Sequence, residues 1–200
     1  MIRLLRILAT VSTIGALLSA PLPASAAAAP SAFEGARLYR QLLSSPDPTS
    51  AYLALTDLQQ ESVQLALTVV TAREAPASAT AVALAGGCWY AQKGIQGISL
   101  AGLVVWQFNS KINWCSNGSV ITSKSNQVWP SNMALFWSYD TSNGWPVVHE
   151  YGGVNYTYYE TWSQAHMMFC PPGTGCVQHQ YPWIDLVGYP NGTYSGSAGT

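Results

Sequence analysis

The sequence predicts a mainly β protein, with a jelly-roll-like antiparallel β-sandwich in its C-terminal half and a short helical segment before it. Three observations carry this prediction. Apolar and polar residues alternate from Trp106 to Trp114, as in a strand with one buried face. The pair Asn-Gly, which is the strongest short hairpin signal, recurs at Asn117, Asn143 and Asn191. Every tryptophan, histidine and cysteine lies beyond residue 86.

The first element in chain order is a predicted secretory signal peptide, residues 1–26. Arg3 and Arg6 form its positively charged start, an apolar stretch follows from Ile7 to Leu18, and Ala24-Ser25-Ala26 has the small-residue pattern of a cleavage site. The apolar stretch is too short to span a hydrocarbon core of about 30 Å. We therefore expect a secreted, extracellular chain with no membrane span after cleavage.

Residues 27–74 are predicted to form the helical segment. Ser31 with Glu34, and Thr56 with Gln59, have the spacing of capping boxes at the starts of two amphipathic helices. Two such helices bury little apolar surface by themselves. The segment is therefore expected to pack against the β domain, to act as a removable pro-region or to be partly mobile.

The remaining boundaries follow from composition. Residues 75–87 are rich in Ala and Gly and are predicted to be a linker. Residues 88–194 form the predicted β domain, and residues 195–200 a flexible tail.

The charge balance argues against two classes of partner. Without residues 1–26, six basic and nine acidic residues remain, a formal balance of −3. Nucleic acids and anionic lipids are bound by clustered Lys and Arg, and here these residues are few and dispersed. We expect neither partner.

The four cysteines indicate two disulfides, because an even number in an exported chain is typical of a disulfide framework. Their spacings do not resemble those of zinc sites, and we expect no metal and no cofactor. A hairpin around residues 171–175 would place Cys170 opposite Cys176, which leaves Cys88 for Cys115. Three connectivities are open to four cysteines, and this one is the leading pairing.

A set of local motifs in residues 86–195 resembles a group of secreted actinobacterial β-sandwich proteins. The motifs are Trp114-Cys115, Asn117-Gly118, Ile121-Thr122-Ser123, Gly144-Trp145, Cys170, Cys176 and Pro182-Trp183-Ile184. The resemblance implies export, a β fold and the disulfides. It implies no catalytic residue.

The three histidines are the first ingredients to consider for acid–base chemistry. In the hairpin register that pairs Cys170 with Cys176, His166 faces Gln180 and His179 faces Met167. The two rings would then point to opposite sides of the sheet, which disfavours a shared site. A β-bulge would remove this argument. His149 lies in another predicted strand and belongs to no diagnostic motif.

No residue reaches a catalytic assignment from the sequence, and the weak candidates are Glu160, His166 and Glu150. Glu160 lies between Tyr158 and Trp162 on one strand face, where an apolar setting would raise its pKa. With Glu150, Asp140 and Asp185, it could supply the two carboxylates that glycoside hydrolysis needs.

Aromatic residues are the more unusual feature, because residues 86–200 contain eight Trp, nine Tyr and three Phe. Exposed rings on a weakly charged surface suit stacking against sugars or another protein. The candidate ligand-binding residues are Tyr156, Tyr158, Trp162 and Trp183. The predicted function is a secreted, non-enzymatic module that binds an extracellular glycan, a cell-wall polymer or a protein.

Two alternatives stand beside this prediction. The first is a secreted hydrolase with a glycosidase-like or His–carboxylate site. The second is an antimicrobial or competition protein, for which residues 27–87 would be a removable leader.

Overall fold

The computed structural model describes residues 29–76, 80–84 and 87–200. The predicted signal peptide lies outside these ranges. Within them, no helix is long and apolar enough to cross a membrane.

Three helices precede the sheets: α1 (Ala32–Leu43), α2 (Pro48–Leu53) and α3 (Asp57–Leu67). The capping box predicted at the start of α3 is present, with the Thr56 hydroxyl and the Gln59 amide each satisfying the other's backbone N–H. The box predicted at Ser31 is not formed. Glu34 instead accepts a 2.8 Å hydrogen bond from Nε of Arg37, one turn further along α1.

The strands form antiparallel sheets, as the sequence predicts, and the mainly β class with a short helical segment before the strands is confirmed. The strand order is β1-β3-β4-β5 in one sheet, in which β2 also pairs with β3, β10-β9-β6 in a second and β12-β11-β8-β7 in a third. The strands are β1 (Val69–Glu74), β2 (Thr80–Leu84), β3 (Cys88–Ser99), β4 (Val104–Ser116), β5 (Ile121–Ser131), β6 (Trp137–Tyr139), β7 (Val147–Gly152), β8 (Tyr159–Gln164), β9 (Met167–Phe169), β10 (Gln178–Gln180), β11 (Trp183–Gly188) and β12 (Tyr194–Gly199).

Strands also occupy three places where the sequence predicts other structure. The last residues of the predicted helical segment 27–74 form β1, and the predicted linker 75–87 contains β2. The long strand β3 explains both, because one of its edges is free to pair with β1 at residues 95–99 and with β2 at residues 88–92. The predicted tail 195–200 lies largely in β12, which pairs along β11.

The helices share one hydrophobic core with the sheets. The indole Nε1 of Trp137 donates a 3.1 Å hydrogen bond to the carbonyl of Leu67, and the rings of Tyr52 and Phe136 meet edge to face at 4.8 Å. The sheets also pack closely on each other. A Cβ added to Gly188 would come within 2.7 Å of the Trp114 ring, so β11 lies close against β4. Helices and sheets are therefore packed as one folded unit.

Two disulfides are present, with the leading pairing of the sequence analysis. Cys88 and Cys115 are directly opposite one another on β3 and β4. Cys170 and Cys176 close a short loop between β9 and β10.

That loop is the tip of a long hairpin. On one side β8 and β9 follow each other almost without a break, and on the other side β10 and β11 do the same. Gln164 is opposite Trp183 and Met167 is opposite Gln180, so a single register runs through both pairs of strands. Pro182 interrupts the ladder between them, where its carbonyl accepts a hydrogen bond from the N–H of Ala165.

Candidate functional site

One surface of this hairpin collects the polar and aromatic side chains of interest. From residue 159 to residue 169, odd-numbered side chains are buried and even-numbered ones are partly exposed, as expected for alternation along a strand. The opposite strand continues the same surface, and β7 extends it. We call this surface the hairpin face; its residues are Trp145, Val147, His149, Tyr151, Glu160, Trp162, Gln164, His166, Met168, His179, Tyr181, Trp183, Asp185 and Val187.

All three histidines lie on the hairpin face, which corrects the prediction that His166 and His179 point to opposite sides. The observed register differs from the predicted one by a single residue, with His179 opposite Met168 rather than Met167. In a sheet, a shift of one residue moves a side chain to the other face.

The shift has a local cause at the disulfide loop. Cys170 and Cys176 are bonded but do not form a ladder pair; Gln178 is the partner of Phe169, and the N–H of Val177 also donates to the Phe169 carbonyl. The Gln178 amide binds both backbone groups of Val69 at 2.9 Å. This contact with the start of β1 holds Gln178 opposite Phe169, in the same register that β8 and β11 keep.

The part of the hairpin face formed by β8 and β11 carries two tryptophans beside two carboxyl groups. Trp162 is opposite Asp185, and its ring stacks on that of His149 with 5.7 Å between centroids. Trp183 extends across the neighbouring strand, because a Cβ added to Gly199 would come within 2.8 Å of its ring. Both indoles are partly exposed. The two indoles therefore lie against different flanking strands, Trp162 against β7 and Trp183 against β12, and each leaves part of its ring accessible.

The pKa values of the two carboxyl groups here, Glu160 and Asp185, are shifted by their surroundings. Burial raises the pKa of Glu160, as the sequence predicts, and the charge of Asp185 raises it further. Burial also raises the pKa of Asp185. Oδ1 of Asp185 is buried and makes no hydrogen bond with any residue that the structure describes. These two acids have an unsatisfied capacity to accept hydrogen bonds.

The other part of the hairpin face, at β9 and β10, is the histidine end, and it contains a series of hydrogen-bonded side chains. Oδ2 of Asp140, directly after β6, lies 2.9 Å from Nδ1 of His166, and Nε2 of His166 lies 2.8 Å from Nδ1 of His179. The ring of Tyr181 is parallel to that of His166, with centroids 4.8 Å apart. The Trp145 ring packs against both, at 5.4 and 5.7 Å.

The predicted Asn-Gly turn at Asn143 brings Trp145 to this position. Asn143 and Gly144 both have positive φ, 51° and 85°, and the N–H of Trp145 donates to the Ser142 carbonyl at 3.0 Å. These are the features of a type I′ turn. The turn reverses the chain after β6 and lays the indole over the histidine end.

Three of the residues singled out from the sequence lie elsewhere. Glu150 faces β5, where it binds Lys124, Asn126 and the Tyr159 hydroxyl, and Lys124 in particular lowers its pKa. Glu150 therefore links β7 to β5 through an ion pair. Tyr156 and Tyr158 lie in the connection from β7 to β8, where their rings contact each other at 6.4 Å.

The structure brings together Glu160, Trp162, Trp183 and His166 from the sequence candidates. It adds Tyr181, and it places Asp140, one of the carboxylates considered for glycoside hydrolysis, and Trp145 beside His166. The alternation from Tyr159 to Phe169 already contains the signal that Glu160, Trp162 and His166 share a face. The opposite strand could be added only with the correct register.

Other sites on the surface offer less chemistry. A groove of about 440 Å³ is lined by loop residues that include Ser119, Thr157 and Asn191, and it shares no residue with the hairpin face. Within residues 29–76 and 87–200, no three His, Cys, Asp or Glu side chains are arranged to hold a metal ion.

Comparison with known proteins finds no matching family model, no matching curated protein and no matching solved structure. Inference of function therefore rests on the chemistry of the hairpin face itself.

Proposed function

We propose that this protein is exported and that its hairpin face binds an extracellular glycan or cell-wall polymer. The two disulfides support an oxidising, extracellular location. The observation that carries the binding proposal is the partly exposed pair of indoles, Trp162 and Trp183, next to Glu160 and Asp185.

The chemistry of these groups matches that of a sugar chain. An indole ring offers a broad apolar surface for the C–H face of a pyranose, and it loses little conformational entropy on binding. Ionised carboxylates are strong acceptors for sugar hydroxyls. Glu160 and Asp185 place such groups beside the two indoles.

Charge narrows the class of glycan. The hairpin face contains the carboxyl groups of Glu160 and Asp185 and no Lys or Arg. A polyuronate would be repelled by these acids, whereas a neutral or amino-substituted polymer would not. We therefore expect xylan or chitosan to be retained in preference to polygalacturonate.

Affinity electrophoresis of the secreted protein through gels that contain each polymer tests this proposal. Trp162→Ala and Trp183→Ala are each expected to weaken binding about fivefold, since a well-placed aromatic contact contributes on the order of 1 kcal/mol. Trp129→Ala is the matched control, because Trp129 lies on β5, away from the hairpin face. Retention of the polymer by both hairpin-face variants at wild-type strength would overturn the proposal.

Glycoside hydrolysis is a second candidate, favoured by one observation: Glu160 and Asp185 share a face and both have raised pKa values. In a glycosidase, a carboxyl group with a raised pKa acts as the acid, and a neighbouring carboxylate acts as the base or nucleophile. Glu160→Gln would then abolish release of reducing sugars from a bound polymer. If wild-type protein releases none, the candidate fails and the binding proposal is unaffected.

A further inference from the structure

Asp140, His166 and His179 form a hydrogen-bonded series of side chains, and this series is anchored at Asp140. The Asp140 carboxylate accepts hydrogen bonds from the backbone N–H and the hydroxyl of Ser142, at 2.8 and 2.7 Å, both on Oδ1. The backbone N–H of Asp140 donates to the carbonyl of His166 at 2.9 Å. Carboxylate and imidazole are thus fixed relative to each other by main chain as well as side chain.

The protons in this series can be assigned from its acceptors. The Ser142 hydroxyl and N–H, with His166, lower the pKa of Asp140 to about 2, so the carboxylate is ionised and can only accept. With a neutral ring, His166 therefore carries its proton on Nδ1 and accepts on Nε2. His179 in turn donates from Nδ1, which leaves Nε2 of His179 as an unprotonated nitrogen.

The ring geometry agrees with a proton between the two histidines. Their planes differ by 20° and their centroids are 5.1 Å apart, which corresponds to the 2.8 Å N–N distance plus the two ring radii. Each nitrogen therefore points straight at the other, as in a hydrogen bond. Two ligands of one metal ion would instead point at a common third position.

Solvent reaches this series mainly at one end. The side chains of Asp140 and His166 are each only 12% exposed, and Trp145 and Tyr181 pack against the His166 ring. His179 is exposed. A proton taken up at Nε2 of His179 can pass along the series as Nδ1 of His179 releases its own proton to His166, so that the positive charge settles beside Asp140.

We propose that these three residues form a proton relay and that Nε2 of His179 is the general base of an ester-hydrolysing site, with O-acyl groups of a glycan as the substrate class. This assigns an activity beyond the binding proposed above. The hydrolytic activity itself does not depend on that binding, because a small ester can reach an exposed histidine directly; only the choice of glycan O-acyl groups as the substrate rests on it.

The reaction balances without a cofactor. Nε2 of His179 takes a proton from water, and the resulting hydroxide oxygen bonds to the ester carbonyl carbon. As the tetrahedral intermediate collapses, the carbon–oxygen bond to the alcohol breaks, and His179 returns its proton to the leaving oxygen. One ester and one water yield one carboxylic acid and one alcohol.

An ester fits these groups better than a phosphate or a glycoside would. A phosphoester would bring negative charge towards Asp140, which is ionised. A glycosidic oxygen must be protonated by an acid as it leaves, and the unprotonated Nε2 of His179 offers none. Activation of water followed by return of the proton is the task for which one neutral imidazole suffices.

His179 is the catalytic residue in this scheme, and His166 and Asp140 are positioning residues. Asp140→Asn separates these roles. Ser142 donates twice to Oδ1, so the Asn oxygen would take that side and its NH₂ would face His166. His166 would then accept at Nδ1 and donate from Nε2, and His179 would be forced to carry its proton on Nε2. The base would be lost although both histidines remain.

Hydrolysis of 1-naphthyl acetate and of acetylated xylan by the full secreted chain tests the proposal. His179→Ala and Asp140→Asn are each expected to lower the rate about 100-fold, within the usual range for general-base catalysis. Gln180→Ala is the matched control, since Gln180 is the next residue on β10 and alternates to the other side of the strand.

A second readout covers the case in which a variant fails to fold. Imidazole nitrogen chemical shifts of folded wild-type protein should show His179 protonated on Nδ1, and those of Asp140→Asn on Nε2. The proposal is overturned if the wild type hydrolyses neither ester, if His179→Ala keeps the wild-type rate, or if wild-type His179 is protonated on Nε2. Hydrolysis of the small ester without polymer retention would remove only the glycan-binding proposal.

Discussion

The two faces of the long hairpin are built from the same strands and serve different purposes. On the inner face, Tyr159, Met167 and Phe169 are fully buried and pack into the common core. On the outer face, Glu160, Trp162 and His166 alternate with them and remain partly exposed. Because successive side chains point to opposite sides, substitutions one residue apart should separate stability from function.

The tryptophans show the same contrast. Trp106, Trp114 and Trp137 are buried, and the indole N–H groups of the last two donate to the backbone carbonyls of Tyr189 and Leu67. Trp162 and Trp183 keep part of their rings exposed, which forgoes some of the free energy that burial would provide. An apolar surface left accessible beside carboxylates is a feature of binding sites.

The largest expected effect is on the inner face. Phe169→Ala removes a fully buried ring that stacks on Trp137 at 5.4 Å, and it should lower the free energy of unfolding by about 3–5 kcal/mol. Met168→Ala, one residue earlier on the outer face, should change it by less than about 1 kcal/mol. Urea unfolding of both variants checks this comparison. Equal losses would mean that the two faces are not distinct.

The helical segment is expected to behave like the inner face. Tyr52 is fully buried against Phe136, and Tyr52→Ala should lower the free energy of unfolding by about 3 kcal/mol. Phe33→Ala, at a ring that is 86% exposed on α1, is the control and should stay within about 0.5 kcal/mol.

The packing of the helical segment also bears on the hypothesis that residues 27–87 are a removable leader. A secreted product whose intact mass corresponds to a start near Ala27 would agree with the shared core. A start near Cys88, with full stability, would contradict it and favour the antimicrobial alternative.

Sequence patterns predicted several features that are set by neighbouring residues, although the capping box at Ser31 is not formed. The alternation around Glu160 and Trp162, the cap at Thr56 and the disulfide of Cys170 depend on local spacing, and all three are present. The register of the hairpin was not accessible in this way. Gln178, whose place opposite Phe169 defines the register, is bound to Val69, which lies 109 positions away in the chain.

The histidine end shows the consequence. Asp140 joins His166 only because β6 pairs with β9, a juxtaposition that no local pattern around Asp140 indicates. The error of one residue in register then hid the shared position of His166 and His179.

The smallest expected effect concerns the carboxylates of the outer face. The pKa of Asp185 is raised in the folded chain by burial, so its ionised form destabilises the fold above that pKa. The penalty disappears as the pH falls below the unfolded value of about 4. Asp185→Asn should therefore raise Tm at neutral pH by no more than about 3 °C, with no difference at about pH 3. Differential scanning calorimetry at both pH values checks this; a lower Tm at neutral pH would show that the carboxylate stabilises the fold.

The central claim is that the hairpin face is the functional surface, and the indole N–H resonances of the tryptophans test it most directly. Titration of ¹⁵N-labelled protein with xylo- or chito-oligosaccharides should shift the resonances of Trp162 and Trp183 together, while that of Trp129 stays in place. Shifts confined to Trp129, or to backbone amides around Tyr156, with Trp162 and Trp183 unchanged at saturation, would contradict the account.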